Sequence, residues 1–199
     1  PGPVRTSSGL VLTAETTLEN LSPDILVVPG AVDAEATSEN PQIIQQVCAA
    51  AARSARIASV CSGAFILAAC GLLHGKRAAT HWLVADRLAE LYPQISVEPD
   101  AIFVRDGKTS TSGGVTAGID LALDMVEEDY GDKLAMEVAR VLLLYRRRPG
   151  NQSQYSSALA AQVNAGRFAP LVRWLEANLG KNLTVERLAE VANMSPRSF

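Results

Sequence analysis

Short apolar runs alternate with longer amphipathic segments along the first part of the chain. Residues 24–30 (DILVVPG) form a β-branched run ended by Pro-Gly, which predicts a buried strand. Residues 41–55 carry apolar side chains at helical spacing, and Pro41 suits a first helical turn. Residues 56–61 predict a second strand, and residues 62–73 predict an apolar helix. This alternation is typical of an α/β fold with a mostly parallel sheet.

The pattern changes after a short predicted helix at residues 83–91. Residues 95–114 contain alternating runs split by Pro-Asp and Asp-Gly, which predicts antiparallel strands joined by tight turns. Helical periodicity returns in residues 115–130 and 132–144, where Asp132 is a candidate N-cap. The sheet is therefore expected to include one antiparallel excursion.

The last fifty residues predict a different kind of structure. Residues 146–162 are polar, contain Pro-Gly and begin with three arginines, so we predict a linker there, although such a run also fits a solvated helix end. Residues 168–179 form an amphipathic helix. We expect a domain at residues 1–145, this linker, and a small helical domain at residues 163–199.

Residues 183–199 (LTVERLAEVANMSPRSF) have the form of a helix-turn-helix. Thr184 is a candidate N-cap, and Ser195 and Pro196 are placed to begin a second helix. Such a helix enters the major groove in DNA-binding motifs, so Ser195, Pro196 and Arg197 are candidate DNA-binding residues. Two packed helices that bind no DNA would show the same pattern.

Composition narrows the class of protein. The 199 residues are 48% hydrophobic with a net charge of −3, which suits an ordinary α/β domain with a small attachment. The apolar runs are shorter than the ~18 residues of a membrane span, and no signal peptide is visible. The three cysteines lack CxxC spacing, so we expect no disulfide framework, no metal and no cofactor, and a cytoplasmic location.

Charge is unevenly distributed. Residues 1–145 contain 10 basic and 18 acidic residues, whereas residues 149–199 contain 5 basic and 3 acidic residues. An acidic body with a mildly basic tail fits a regulatory domain joined to a nucleic-acid-binding one.

Cys61 follows the second predicted strand and precedes Ser62 and Gly63 at the start of a helix. Free N–H groups and the helix dipole at that position favour a thiolate and a nearby oxyanion. His81 is the candidate partner base, whereas His74 is expected to face solvent. Two alternatives stay open: Cys61 as a small buried hydrophobe and His81 as a helix cap.

A second glycine-rich turn follows the antiparallel excursion. Ser112-Gly113-Gly114 allows close backbone approach, and Thr116 and Asp120 on the next helix are candidate ligand-binding residues. A flexible turn followed by a helix cap would also explain this segment. Cys48 and Cys70 lie among alanines and leucines and are expected in the core.

Three segments carry a family resemblance. VCSGAFILAACGLLHGKRAATHW (residues 60–82), TSGGVTAGIDLALDMVEEDYG (111–131) and RRRPGNQSQYS (146–156) resemble the ThiJ/PfpI superfamily, also called class I glutamine-amidotransferase-like, and within it the GlxA-like subgroup fused to AraC-type regulators. The resemblance implies a flavodoxin-like three-layer sandwich with Cys61 at a nucleophile elbow and His81 beside it. It also implies a ligand-sensing domain that is often a homodimer.

Two departures from the family pattern concern the site. No residue matches the acidic group that follows the first strand in many relatives, because the chain, which is expected to be truncated at both ends, is expected to begin after that strand. Ala31 follows Gly30 where many relatives have a second glycine, in a loop that supplies an oxyanion N–H. We expect DNA binding only by the intact protein.

The leading hypothesis is a DNA-binding regulator whose α/β domain senses a small, polar effector, with Gly30, Ala31, Cys61, Ser62, Gly63, His81, Thr116 and Asp120 as ligand-binding residues. A cysteine-dependent amidase or hydratase that uses Cys61 and His81 is the alternative. A sensor in which Cys61 is oxidised to a sulfenic acid is a third possibility.

Overall fold

The computed structural model describes residues 2–6, 8–144, 151–152 and 168–199. The chain forms two compact units, residues 1–152 and 153–199. The predicted linker at residues 146–162 lies outside the described residues except for Asn151 and Gln152. The predicted domain boundaries therefore stay predictions.

The described residues of the first unit form the following strands and helices. The strands are β1 (Gly2–Arg5), β2 (Val11–Ala14), β3 (Ile25–Val28), β4 (Arg56–Val60), β5 (Arg77–Ala78), β6 (Ser96–Val97), β7 (Phe103–Asp106) and β8 (Thr109–Ser112). The helices are α1 (Ala34–Ser38), α2 (Pro41–Ala52), α3 (Ala64–Ala69), α4 (Ala85–Leu91), α5 (Val115–Tyr130) and α6 (Asp132–Val141). Short 3₁₀ turns cover Leu18–Asn20, Cys61–Gly63 and Trp82–Val84.

The main sheet has the strand order β3-β4-β8-β7. The pairs β3–β4 and β4–β8 are parallel, and β7–β8 is the predicted antiparallel hairpin. In register, Val28 pairs with Ser59 and Val60 pairs with Ser112. The three parallel strands therefore end at one edge, where loops can build a site.

Helices cover both faces of this sheet. Ile57 of β4 belongs to the buried cluster that also contains Phe65 and Leu67 of α3. Val60 of β4 packs against Gly118 of α5. Because residues 57 and 60 differ by an odd number, their side chains point to opposite faces of the strand. The α/β fold with a mostly parallel sheet is confirmed.

Two details of the first unit differ from the prediction. The hairpin β1–β2 was not predicted, because its apolar side chains, Val4, Val11 and Leu12, are exposed and show no buried face. The N-cap of α6 is Gly131, with φ +87°, and Asp132 is the first helical residue. The left-handed backbone at residue 131 favours glycine over a capping aspartate.

The second unit contains α7 (Ala169–Glu176) and α8 (Val185–Val191). Thr184 caps α8 as predicted, because its side chain accepts a hydrogen bond from the Arg187 N–H at 3.3 Å. On this helix Ala189 is buried and Val185 is exposed. The chain then turns at Asn193, and residues 195–199 form a single turn. None of the helices in the described ranges is long and apolar enough to cross a membrane.

Candidate functional site

Cys61 lies at a sharp elbow between β4 and the 3₁₀ turn that leads into α3. Its φ is +57°, in the left-handed region that is costly for a residue with a Cβ. Two hydrogen bonds hold this conformation: the Cys61 N–H donates to Gly113 O at 2.9 Å, and the Thr80 hydroxyl donates to Cys61 O at 2.8 Å. The ends of neighbouring chain segments therefore fix the thiol at the sheet edge, as the sequence predicted.

Close backbone contacts explain the two glycines of the elbow. A Cβ at Gly30 would lie 2.8 Å from Cys61 Cβ, and a Cβ at Gly63 would lie 2.4 Å from Val28 O. The loop after β3 therefore crosses directly over the elbow. Gly63 is buried and serves this close packing, and its predicted contact with a ligand stays a prediction.

Ser62 and Ala31 join this loop to the elbow. The Ala31 N–H donates to Ser62 Oγ at 3.1 Å, and the Ser62 hydroxyl donates to Ala31 O at 2.8 Å. Both backbone groups of Ala31 are therefore already bonded. In this arrangement the serine side chain takes the Ala31 N–H, so the loop does not offer that donor to an oxyanion.

His81 follows β5 and caps the next 3₁₀ turn. Its Nδ1 accepts a hydrogen bond from the Leu83 N–H at 3.2 Å, which confirms the capping alternative. The ring rests against Gly114, where a Cβ would lie 2.8 Å from Cδ2. In this arrangement the Leu83 N–H therefore occupies Nδ1.

Cys61 and His81 line a common cavity of about 730 Å³. Gly30, Ala31 and Ser62 also line it. The rest of its wall is mainly apolar and includes Val27, Val32, Val60, Phe65, Leu83, Val84 and Val115. The cavity therefore combines one thiol and one imidazole with a hydrophobic surface.

The structure brings together only part of the predicted site. Thr116 and Asp120 lie on α5 after Val115, but they are not among the described residues that line the cavity. Their ligand-binding role stays a prediction. His74 is exposed, as expected. Of the residues that the sequence did not single out, Thr80 holds Cys61, and Gln152 contacts the segment that carries His81.

One ion pair borders the cavity. Arg87 of α4 bonds Glu35 of α1 at 2.6 Å, and Glu35 lines the wall. The hydrogen bond from Arg87, supported by its positive charge, holds the pKa of Glu35 below its ordinary value, and desolvation opposes this effect. The Glu35 carboxylate is therefore ion-paired, and the pair links α1 to α4.

The other two cysteines lie away from the elbow. Cys48 and Cys70 are half-buried rather than fully in the core, and the Cys70 thiol contacts Ile44 O at 3.5 Å. Burial raises the pKa of the Cys70 thiol, and a hydrogen bond with Cys48 raises it further. Cys70 is therefore a poor thiolate. Across the described residues, no group of three or more His, Cys, Asp or Glu side chains could hold a metal ion.

The candidate DNA-binding residues lie on the surface of the second unit. Ser195, Pro196 and Arg197 are exposed, and Ser195 Oγ lies 2.8 Å from Ser198 Oγ. Ser195 also accepts backbone hydrogen bonds that begin the last turn. Contact of these residues with DNA stays a prediction.

Comparison with known proteins reveals relatives of two kinds. The chain is 37% identical over 168 residues to an isonitrile hydratase of Pseudomonas putida, which covers 83% of this chain and 72% of that protein. It is 31% identical over 199 residues to the HTH-type transcriptional regulator CdhR of Pseudomonas aeruginosa, which covers 100% of this chain and 59% of that regulator. The chain thus spans about three-fifths of the regulator's length.

A solved structure and a family model agree with these relatives. The crystal structure of an AraC family transcriptional regulator from Pseudomonas putida matches with a TM-score of 0.59 at 26% identity, over 71% of this chain and 76% of that one. The sequence model of the DJ-1/PfpI family matches residues 1–128, which include the elbow, His81 and the described strands β1 to β8. The chain therefore belongs to the DJ-1/PfpI family.

Proposed function

We propose that this chain is the sensing part and the beginning of the DNA-binding part of a transcriptional regulator. In this proposal, a small molecule binds the cavity at Cys61 and His81 in the first unit. Binding then changes how the second unit presents its helix-turn-helix to DNA, which is a coupling between two sites.

One observation carries the proposal. Similarity to a named HTH-type regulator extends over all 199 residues, so it includes both the elbow and the segment with α7 and α8. A freestanding enzyme would not need the second segment. The exposed Arg197 side chain and the predicted helix that begins at Ser195 are consistent with a contact to DNA.

The same proposal includes a cytoplasmic homodimer. A helix-turn-helix regulator reaches its DNA in the cytoplasm of a bacterium, and dimers match the two-fold symmetry of operators. Sedimentation of the intact protein should give a dimer mass, and a monomer at all concentrations would contradict this part.

Two measurements test the regulator hypothesis on the intact protein. A gel shift with DNA from its own promoter region should show sequence-specific binding that Arg197→Ala weakens. A thermal-shift screen of metabolites should identify an effector that raises Tm in wild type and not in Cys61→Ala, since a saturating ligand stabilises the state that it binds. Absence of specific DNA binding at low salt would overturn the proposal.

The apolar wall changes the expected effector. The sequence suggested a small polar molecule, but most side chains that line the cavity are aliphatic. We therefore propose an effector with an apolar body and one polar or electrophilic group that faces Cys61. A polar amine or amino acid as the only binder in the thermal-shift screen would contradict this choice.

A cysteine-dependent enzyme remains the second candidate. The 37% identity to an isonitrile hydratase and the strained backbone at Cys61 favour it. The bonded Nδ1 of His81 and the bonded N–H of Ala31 count against it, because they occupy one nitrogen of the candidate base and one candidate oxyanion donor. Hydration of an organic isonitrile at ordinary enzymatic rates, abolished in Cys61→Ser, would establish the enzyme instead.

A further inference from the structure

Gln152 is the last residue of the first unit, and its side chain is almost completely buried. Its exposed fraction is 8%. Its neighbours on the chain are polar, and nothing in that sequence marks a core position. A buried amide is stable only when its donors and acceptor have partners. The partners of Gln152 therefore indicate what holds this segment in place.

Within the described part of the chain, the partners of Gln152 are backbone groups from two loops. The Gln152 amide nitrogen lies 2.7 Å from Ala101 O, 2.9 Å from Thr80 O and 3.2 Å from Pro99 O. Its Oε1 accepts the Trp82 N–H at 3.2 Å. Its own backbone N–H donates to the Asp100 carbonyl at 2.8 Å. The side chain is therefore bonded in both directions.

Two of these contacts flank His81 on either side. Gln152 donates to the carbonyl of Thr80 and accepts from the amide of Trp82, so it spans the residue that lines the cavity. Thr80 in turn donates its hydroxyl to the carbonyl of Cys61. A single amide thus holds the loop that carries the imidazole and, through Thr80, contacts the elbow.

Gly113 provides the space for this amide. A Cβ at Gly113 would lie 2.5 Å from Cδ and Oε1 of Gln152, which is closer than real Cβ contacts allow. The next residue, Gly114, leaves equivalent room for the His81 ring. The two adjacent glycines therefore accommodate the buried glutamine and the pocket histidine side by side.

We propose that Gln152 is a positioning residue for the Thr80–Trp82 loop, and that it couples the state of the cavity to the chain that follows it. When the Gln152 side chain makes these hydrogen bonds, His81 and Cys61 have the arrangement described above. When the Thr80–Trp82 loop shifts on ligand binding, the hydrogen bonds of Gln152 change. The segment that follows Gln152 is then held less firmly. The second half of this proposal rests on the proposed regulatory function.

The first test measures the position of His81 without ligand or DNA. Diethyl pyrocarbonate modifies accessible imidazoles, and the exposed His74 provides an internal reference in the same chain. We expect Gln152→Ala to raise the modification rate of His81 about five-fold relative to His74, because the loss of one net hydrogen bond shifts local opening by that factor. Gln152→Met, which keeps the volume but not the hydrogen bonds, should act similarly.

A second variant disturbs the same buried position of the Gln152 amide through the neighbouring glycine. Gly113→Ala should displace the glutamine and raise the His81 rate without any change at residue 152. The double variant Gly113→Ala/Gln152→Ala should show no further increase in the His81 modification rate, because both changes remove the same buried amide from its position. Val47→Ala, a core change in α2, controls for lowered stability and should leave the ratio of His81 to His74 unchanged. Equal ratios in wild type, Gln152→Ala and Gly113→Ala would overturn the positioning role.

The coupling is tested by trypsin cleavage after Arg167, the first basic residue that follows Gln152. Cleavage there should be faster in Gln152→Ala and Gly113→Ala than in wild type, because the hydrogen bonds that hold the start of this segment are lost. Alkylation of Cys61 by iodoacetamide should change the cleavage rate in wild type but not in Cys61→Ala or in Gly113→Ala. An unchanged cleavage rate in all of these proteins would overturn the coupling, and it would leave the regulator hypothesis to its own DNA-binding test.

Discussion

Gly30 lies where the loop after β3 crosses the elbow, and the space around it is defined by the thiol-bearing residue. An added Cβ would meet Cys61 Cβ at 2.8 Å and Ser62 Oγ and Val60 O at 3.2 Å. Two of these three atoms belong to residues that are themselves fixed by the sheet. The loop and the elbow therefore cannot both keep their positions if residue 30 gains a methyl group.

Gly30→Ala should lower the free energy of unfolding by about 1–3 kcal/mol, which is the usual effect of overpacking. The alkylation rate of Cys61 should change as well, because the thiol must move. Urea unfolding and mass spectrometry of iodoacetamide-treated protein would measure the two effects. Gly180→Ala is a matched control, since no atom lies within 4 Å of its added Cβ. Wild-type stability in Gly30→Ala would contradict the described contact.

Most of the residues at the elbow could be predicted from sequence, but their hydrogen-bonding state could not. Cys61, Ser62 and His81 stand at strand-to-helix junctions, and such junctions at parallel strand ends converge on one edge. That Ser62 occupies the Ala31 N–H, and that Leu83 occupies His81 Nδ1, depends on side-chain torsions. The spacing of residues along the sequence does not reveal those torsions.

At the scale of elements, α5 approaches β4 through a glycine. A Cβ at Gly118 would lie 2.9 Å and 3.0 Å from the two methyl carbons of Val60. The helix therefore packs on the sheet at the point where Val60 also lines the cavity. Changes in this contact should affect stability and cavity size together.

A double-mutant cycle tests this packing. Gly118→Ala alone should destabilise the protein by about 1–3 kcal/mol, because valine and the new methyl group overlap. Val60→Ala in the same chain should recover part of that loss, which gives a favourable coupling energy for the pair. Urea unfolding of the four proteins measures the cycle. Additive effects of the two substitutions would show that the residues do not touch.

A pH-dependent link joins α1 and α4. The pKa of Glu35 is lowered by its hydrogen bond to Arg87, so the ionised form is favoured in the folded protein. Its contribution is therefore fully present above the ordinary value of 4.5 and is lost as the pH falls through the lowered pKa. Because both side chains are largely exposed, the effect is small.

We expect Glu35→Gln to have a slightly lower Tm than wild type near neutral pH, and the two curves to converge in acid as the pH falls through the lowered pKa of Glu35. Differential scanning calorimetry across this range would show the convergence. Glu90→Gln is the matched control, because Glu90 contacts the same arginine at a longer distance of 3.6 Å. A constant difference at all pH values would contradict an electrostatic origin.

On the scale of the whole molecule, the sheet and its helices could be predicted because hydrophobic periodicity reports burial. The strands β3 and β4 and the helix α5 appeared in the sequence close to their actual limits. The hairpin β1–β2 could not be predicted, since its apolar side chains are exposed on both strands. Gln152 was missed because its partners are backbone groups about fifty to seventy residues earlier, which no local pattern can reveal.

The end of the first unit gives a prediction at this scale. A chain that ends at Gln152 should unfold at a higher temperature than a chain that ends at Leu144, because only the longer one contains the buried amide and its hydrogen bonds. Circular dichroism melts of the two chains would measure this. A third chain that ends at Gln152 but carries Gln152→Ala should melt like the shorter one. Equal melting of all three would place the end of the unit before residue 145.

The left-handed backbone at Cys61 limits which side chains could ever replace the thiol. Asparagine, aspartate and glycine tolerate such torsions, whereas valine, isoleucine and threonine would lose folding free energy there whatever their chemistry. Substitutions at residue 61, whether natural or from a saturation library, should therefore be limited first by the left-handed backbone. Selection for ligand binding or for a reaction acts only on the variants that fold. Folded variants without sulfur at residue 61 would then distinguish the effect of the elbow's backbone shape from the effect of the thiol's reactivity.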